Sequence, residues 1–197
     1  MTFSLTQKQF EHNIRQKKDF IFYKKIKDFD YNPTQALIDI VEKNKFSFLY
    51  ESVEKGKEKG RYTICGFKTI KQIKFHNKIL SLHGIKKVSK INYGKNHLIK
   101  VNELIKNFKF KKCKSLPPMS GSFFGYIAYE NINNVELIAT SDKKNDLNTP
   151  DILLFLPRIL IILDNLNNDL FILKHFLSDE KGGNNYIDNK IEFEKIE

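Results

Sequence analysis

The chain has 197 residues, enough for one substantial hydrophobic core. Hydrophobic residues make up 41% of it and charged residues 29%, a globular composition that excludes a disordered or fibrous chain. The net charge of +11 comes almost wholly from lysines scattered along the sequence, and this pattern argues against the bidentate phosphate recognition for which nucleic-acid-binding proteins use arginine.

Three features bear on where the protein works. Cys65 and Cys113 are far apart and form no C-x-x-C pair, which is typical of a reducing compartment. The longest apolar stretch, residues 152–163, is interrupted by Pro157 and is shorter than the roughly 20 residues that a membrane-spanning helix needs. The first ten residues lack the apolar core of a signal peptide. We therefore expect a cytoplasmic protein without a membrane partner.

The first third of the chain predicts a helix, a strand and a loop. Asn32 and Pro33 form a helix start, and an apolar stripe follows, so a helix is expected over residues 33–43. Residues 46–50 are aromatic and apolar, as in a strand, and residues 53–60 are charged with interspersed glycines, as in an exposed loop.

The middle third predicts a run of strands and a second helix. Residues 61–66, 69–75 and 78–82 have the composition of successive strands, the last two joined by a tight turn at positions 76 and 77. Apolar residues at helical spacing predict a helix over 98–108. Four lysines follow it, as suits a solvated helix end: Lys109, Lys111, Lys112 and Lys114.

The last third predicts buried strands. Residues 121–129 are expected to form a strand and 131–148 a surface loop. Two buried strands, 152–155 and 159–163, should precede a third at 170–176. Helices and antiparallel hairpins alternate without a regular βαβ period, which indicates an α+β fold with largely antiparallel sheet.

Two kinds of catalytic motif are missing. The five histidines show neither H-x-x-x-H nor H-E-x-x-H spacing, so the sequence predicts no zinc site. Gly121 and Gly125 flank neither the Lys-Ser/Thr of a phosphate-binding loop nor a central nucleophilic serine. From the residues alone, a strand that another backbone approaches closely is the better interpretation of these glycines.

One set of polar residues has the chemistry of an amino-acid site. A zwitterion needs an acceptor for its ammonium group and a cation or hydroxyl donor for its carboxylate, which Glu51, Ser52 and Arg61 would supply. The alternative is that Glu51 and Ser52 begin a solvated loop and that Arg61 pairs with Glu54 or Glu58, an exposed interaction worth at most about 1 kcal/mol. Spacing alone favours this alternative.

Three segments, in this order, resemble the amino-terminal region of anthranilate synthase component I. Residues 48–56 read FLYESVEKG and 60–66 read GRYTICG, similar to the family's L-E-S-V-E-x-G and G-R-Y-S-x-x-G. Residues 117–130 resemble P-P-F-x-G-G-x-x-G-Y-x-x-Y-D, with departures at Met119, Ser122 and Glu130. Residues 150–158 resemble the strand pair that precedes the family's domain linker.

The resemblance implies a division of labour between two parts of the enzyme. Residues 1–176 would be the amino-terminal, tryptophan-binding domain, and residues 177–197 a linker toward a chorismate-binding catalytic domain that this chain lacks. The implied tryptophan-binding residues are Glu51 and Ser52, with Arg61 at the ligand carboxylate and Tyr50, in place of the usual Leu, at the indole wall. No catalytic residue and no metal ligand is implied in this chain.

The same resemblance implies a biosynthetic setting. Anthranilate synthase is a lyase of tryptophan biosynthesis that forms anthranilate from chorismate with glutamine or ammonia, requires Mg²⁺, and is inhibited by L-tryptophan. Its other partner would be the glutamine amidotransferase subunit, component II. This chain alone would be inactive.

Two alternatives remain open at this point. One is the corresponding domain of aminodeoxychorismate synthase, a folate-pathway relative in which tryptophan can be structural; the Glu51-Ser52-Val53-Glu54 segment favours the anthranilate branch. The other is a stand-alone basic nucleic-acid-binding module, whose affinity would fall steeply with salt. No motif of interleaved aromatic and basic residues supports it.

Overall fold

The computed structural model describes residues 2–29, 31–53, 59–84, 88–92, 97–108, 110, 114–134, 136, 147–180 and 185–197. These residues form nine strands, four α-helices and one 3-10 helix. In chain order the regular elements are β1 (Thr2–Phe3), α1 (Gln7–Arg15), β2 (Phe20–Ile26), α2 (Thr34–Lys43), β3 (Phe48–Val53), β4 (Lys59–His76), β5 (Ile79–Gly84), β6 (Val88–Asn92), α3 (His97–Lys106), β7 (Phe124–Ile127), the 3-10 helix (Tyr129–Asn134), β8 (Ile152–Asp164), β9 (Asp169–Phe176) and α4 (Tyr186–Ile196). The expected α+β class is confirmed.

The chain divides into two compact units. Unit 1 comprises Met1–Lys68, Lys109–Gly121 and Pro157–Glu197, and unit 2 comprises Thr69–Phe108 and Ser122–Leu156. In unit 1 the antiparallel pairs β1–β2, β2–β9 and β8–β9 follow one another, and β3 pairs with the first half of β4. In unit 2 the second half of β4 pairs with β5, β5 pairs with β6, and β7 pairs with the start of β8, all antiparallel.

The core of unit 1 is aromatic. Phe10 of α1 lies edge-on to Phe176 of β9, with ring centroids 5.1 Å apart, and Phe20 of β2 stacks on the same ring at 4.8 Å. Phe22 and Phe193 extend the cluster, with centroids 5.3 Å apart. Because aromatic pairs add about 0.5–1.5 kcal/mol beyond the area they bury, this cluster is a major source of stability.

Unit 2 has a smaller core under its own sheet. Ile73, Phe75 and Leu80 of the β4–β5 hairpin pack with Val101 of α3 and Ile152 of β8. The hairpin turns at positions 77 and 78, one residue later than expected. Asn77 and Lys78 both have positive φ, 50° and 63°, as a type I′ turn requires of its two central residues.

Two expected strand breaks are wrong. Residues 61–66 and 69–75 belong to one strand, β4, which continues through Lys68 at φ 54°. Residues 152–155 and 159–163 likewise belong to one strand, β8. Pro157 does not end β8 because it lies between the residues that pair with β7, up to Phe155, and those that pair with β9, from Ile159. The missing N–H therefore interrupts neither ladder.

The remaining expectations are met in part. The helices expected at 33–43 and 98–108 are α2 and α3. The expected cap is wrong by one residue: Pro33 is the N-cap of α2 and has no side-chain cap, while the Asn32 side chain before it accepts a hydrogen bond from the Thr34 amide at 3.1 Å. Of the strand expected at 121–129, only Phe124–Ile127 forms. Residues 54–58, 137–146 and the lysines at 109, 111 and 112 lie outside the described residues, so the expected loops and basic cluster stay predictions there.

The end of the chain is a packed helix rather than an extended connector. Phe193 of α4 is 1% exposed in the core of unit 1. Glu192 accepts hydrogen bonds from Lys68, at 2.7 Å, and from Lys174, and Lys24, itself buried, pairs with Glu197. Burial acts to raise the pKa of Glu192, but the two lysines outweigh it and lower that pKa. Residues 186–196 therefore do not have the linker character expected for 177–197.

Candidate functional site

The residues singled out from the sequence lie on the β3–β4 hairpin. Tyr50 is the register partner of Ile64, and Glu51 is that of Thr63. The register then shifts: Glu51 pairs with Thr63 but Val53 pairs with Lys59, so Ser52 of β3 lies opposite residues 60–62 of β4. The side chain of Ser52 lies outside the described residues, and only its place in β3 is known. Irregular pairing of this kind redirects side chains at the edges of sheets and is common beside binding sites.

Tyr50 and Glu51 point to opposite faces of the hairpin, as consecutive strand residues do. On the Tyr50 face, the ring of Phe48 lies 4.9 Å from that of Tyr50 and covers Gly66, where a Cβ atom would overlap the Phe48 ring. Tyr50 itself is 43% exposed. A glycine at position 66 is therefore required for the aromatic pair to sit flat on β4.

The Glu51 face is continuous with the core of unit 1. Leu49 packs against that core, and its register partner Cys65 is fully buried within it. Burial raises the pKa of the Cys65 thiol to about 12, so this cysteine is protonated at neutral pH and is no nucleophile. Glu51 itself is exposed, at the rim of the same face.

Arg61 lies near the start of β4, among residues 60–62, where the register with β3 is irregular. Its guanidinium forms an ion pair with Asp164, Nη2 to Oδ2 at 3.2 Å, and lies 4.9 Å from the centre of the Tyr62 ring. The side chain remains 52% exposed. The hydrogen bond to Asp164 raises the pKa of Arg61 further, so the group carries a fixed charge with one side open to solvent.

The turn between β8 and β9 holds the start of β4 in place. Asn165 donates its amide to the Arg61 carbonyl and its side-chain nitrogen to the Gly60 carbonyl, both at 2.7 Å. Burial acts to raise the pKa of Asp164, but hydrogen bonds from Arg61, Asn167 and the Leu166 amide outweigh it and lower that pKa. Asp164 is therefore an ionised, buried anchor for Arg61.

The sequence did not reveal Asp164 as the partner of Arg61. The candidates nearest in sequence, Glu54 and Glu58, lie outside the described residues, whereas Asp164 is 103 positions away. A carboxylate at the end of an apolar strand, followed by a run of asparagines, was the available signal. The hairpin thus carries an exposed carboxylate on β3 and a half-exposed guanidinium near the start of β4, the two charges that an amino-acid zwitterion complements.

The Gly121–Gly125 segment has a structural role at its second glycine. Gly125 has φ of 148°, in a region that L-residues rarely adopt, and a Cβ atom there would overlap the carbonyl oxygen of Leu153 in β8. Close backbone approach, the interpretation favoured from the residues, is thus what the structure has at Gly125.

Two properties of the described residues concern metals and membranes. Within the described part of the chain, no three His, Cys, Asp or Glu side chains are grouped so as to hold a metal ion. The described residues therefore offer no cluster of carboxylates that fits a Mg²⁺ ion. None of the described helices is both long and apolar enough to span a bilayer.

Structure comparison first shows which class of protein shares this fold. The fold is similar to the crystal structure of anthranilate synthase component I from Streptococcus pneumoniae, with a TM-score of 0.52 and 19% identity over 86% of this chain and 36% of that one. At this identity the likeness concerns the fold alone.

Sequence comparison then gives the particular relationship. No family model matches the chain. It is 31% identical over 132 residues to anthranilate synthase component 1 of Neisseria gonorrhoeae, covering 65% of this chain and 27% of that protein. It is 28% identical over 153 residues to the protein of that name from Pseudomonas aeruginosa, covering 76% and 30%. The chain is thus similar in sequence to anthranilate synthase component 1, the family that its motifs resemble, and spans roughly a third or less of the length of these proteins.

Proposed function

We propose that this chain is the amino-terminal regulatory part of an anthranilate synthase component I and that it binds L-tryptophan as a feedback inhibitor at the β3–β4 hairpin. The observation that carries the proposal is the presence of two accessible opposite charges on one hairpin, Glu51 exposed on β3 and Arg61 half-exposed near the start of β4. The relationship to anthranilate synthase component 1 supports the choice of tryptophan among amino acids.

Each site residue has a chemical task in this proposal. Glu51 accepts hydrogen bonds from the ligand ammonium group, the Ser52 hydroxyl donates to the ligand, and Arg61 pairs with the ligand carboxylate. Tyr50 lines the indole. It lies on the opposite face from Glu51, but β3 pairs only with β4 among the described strands. A ligand at the free edge of β3 is therefore reachable from both faces.

Inhibition requires a second conformational partner. A ligand shifts an equilibrium only by its differential affinity for two states, so tryptophan must bind the inactive arrangement of sensor and chorismate-binding domain more tightly than the active one. In the proposal that domain completes the tryptophan pocket and carries out the lyase chemistry with Mg²⁺, and component II supplies ammonia from glutamine. The fixed Arg61–Asp164 pair supplies a rigid platform against which such contacts are made.

An activity assay tests the assignment to anthranilate synthesis. We expect no anthranilate, detected by its fluorescence, from this chain with chorismate, ammonia and Mg²⁺. When the chain is joined to a chorismate-binding domain, anthranilate should form and L-tryptophan should inhibit it. Ser52→Ala should raise the tryptophan concentration needed for inhibition, whereas Ser178→Ala, at an exposed position on the turn after β9, should not.

Two results of this assay would contradict the proposal. Turnover by the chain alone would show that it carries the chemistry itself. An active joined protein that makes aminodeoxychorismate, or that is insensitive to tryptophan, would favour the folate-pathway alternative instead.

A further inference from the structure

In unit 1, both ring nitrogens of one buried histidine lie at hydrogen-bond distance from backbone carbonyl oxygens. His175 of β9 is 0% exposed. Its Nδ1 lies 2.8 Å from the carbonyl oxygen of Pro157 in β8, and its Nε2 lies 2.6 Å from the carbonyl oxygen of Ser120. The ring of Phe110 covers it, with centroids 5.0 Å apart.

The number of protons on the ring decides how many of these contacts are hydrogen bonds. A neutral imidazole has one N–H, whereas the imidazolium has two. A carbonyl oxygen cannot donate, so both contacts are favourable only when His175 is protonated. In the neutral ring, one nitrogen lone pair faces an oxygen lone pair at hydrogen-bond distance, which is repulsive.

The surroundings set the pH at which the second proton binds. Burial lowers the pKa of His175, the two carbonyls act to raise it, and the charge of Arg158 lowers it further. Arg158 donates to the His175 carbonyl at 2.6 Å and is paired in turn with Glu180. From β2 the facing residue is Ile21, and from the segment before β7 the facing groups are Phe110 and Ser120, all uncharged.

The two carbonyls differ in how firmly they are held. Pro157 lies within β8, whose following residues from Ile159 onward are paired with β9. Ser120 belongs to the turn 117–121, where its amide and its hydroxyl both donate to the Pro117 carbonyl, at 3.1 and 2.7 Å. Both bonds of Ser120 are internal to the turn, so they do not tie the turn to the sheet. A repulsive contact with the His175 ring will therefore be relieved by movement of Ser120 rather than of Pro157.

We propose that His175 is a proton-operated latch for the turn 117–121. The protonated ring bonds both Pro157 and Ser120 and ties the turn to β9. The neutral ring keeps its proton on Nδ1, retains the bond to Pro157 and releases Ser120. Phe110 takes part because its ring packs on the His175 ring and faces Gly121, where an added Cβ atom would lie 3.2 Å from the Phe110 side chain. Acid closes the latch, and base opens it.

The proposal is independent of tryptophan binding and is tested on the whole 197-residue chain by NMR. Long-range ¹H–¹⁵N spectra of His175 should show Nε2 changing from a lone-pair to a protonated nitrogen as pH falls from about 8 to about 4.5, while Nδ1 stays protonated. The amide signals of Ser120 and Gly121 should shift with the same midpoint.

Two variants distinguish the roles of the two ring nitrogens of His175. The side-chain amide of Asn places a donor near Nδ1 and that of Gln places one near Nε2. In His175→Asn the turn should resemble the high-pH wild type at every pH, and in His175→Gln the low-pH wild type, and both should lose the shared midpoint. Should either variant fail to fold, the wild-type titration decides alone.

Three results would overturn the latch. The first is a ring that keeps one protonation state across this range. The second is a titrating ring whose midpoint the Ser120 and Gly121 amides do not follow. The third is an unchanged titration of those amides in folded His175→Asn.

Discussion

At the scale of single residues, the proposed site depends on how Arg61 is held. Its guanidinium would be a mobile surface charge if it paired with a neighbour in the 53–60 segment. Instead it is joined to Asp164, which is 4% exposed and receives two further hydrogen bonds, from Asn167 and from the Leu166 amide. A guanidinium so placed loses less freedom when it binds a carboxylate, because its orientation is already restricted.

The lowered pKa of Asp164 predicts a dependence of stability on acid. A carboxyl group with a folded pKa below its unfolded value contributes stability that is present above the unfolded value, near 3.8, and is lost as pH falls through the folded one. We expect the urea midpoint of the wild type to fall between about pH 5 and pH 2 more steeply than that of Asp164→Asn. Chemical denaturation at a series of pH values measures this.

Asp169 offers a matched control for that experiment. It is the register partner of Asp164 across the same turn and pairs with Lys25 at 2.6 Å. Asp169→Asn should keep the acid dependence that Asp164 contributes. Equal pH profiles for the wild type and Asp164→Asn would show that the Arg61–Asp164 pair does not stabilise the fold.

At the scale of elements, local sequence patterns predicted the helices, whose positions depend mainly on neighbouring residues. Asn32 and Pro33 predict the start of α2 to within one residue because helix starts depend on neighbouring residues, and the apolar spacing of α3 predicts its face in the same way. The breaks expected in β4 and β8 were wrong because each strand changes its pairing partner there. Lys68 lies between the residues that pair with β3 and those that pair with β5, and Pro157 lies between those that pair with β7 and those that pair with β9. Such pairings are not evident from neighbouring residues. The partner of Arg61, 103 positions away, was hidden for the same reason.

The helix α4 was mistaken for part of a linker because the expectation rested on composition. Its sequence is polar and follows a glycine pair, as a linker would, yet Phe193 is 1% exposed. We expect Phe193→Ala to lower the free energy of unfolding by about 3–5 kcal/mol, since it empties a site among packed aromatic rings. Ile191→Ala, on the exposed side of the same helix, should cost less than about 1 kcal/mol. Equal effects by thermal or urea denaturation would contradict the packing of α4.

The strand β7 depends on one glycine. At Gly125 the φ of 148° disfavours any side chain, by about 1–3 kcal/mol, and a Cβ atom would also overlap the Leu153 carbonyl. Gly125→Ala should therefore destabilise unit 2 by at least this amount in urea denaturation. At Gly121 the nearest atoms to a Cβ belong to the movable ring of Phe110, at 3.2 Å or more, so Gly121→Ala should be milder. A neutral Gly125→Ala would refute the close approach of β7 to β8.

At the scale of the whole molecule, composition alone was a poor guide to function. The charge of +11 suggests a polyanion partner, but lysine outnumbers arginine many times over and the relatives are anthranilate synthase components. Glu51-Ser52 likewise has the appearance of a strand end followed by a solvated loop. The structure adds the irregular register between Ser52 and residues 60–62 and the anchored Arg61, and the proposed sensor combines these features with the identity of the relatives.

Calorimetric titration of L-tryptophan tests the proposed sensor most directly. Titration into this chain joined to a chorismate-binding domain should give saturable heat that Ser52→Ala weakens and Ser178→Ala leaves unchanged. Unchanged binding in Ser52→Ala, or no binding by the folded wild type, would contradict the assignment of the β3–β4 hairpin as the tryptophan site.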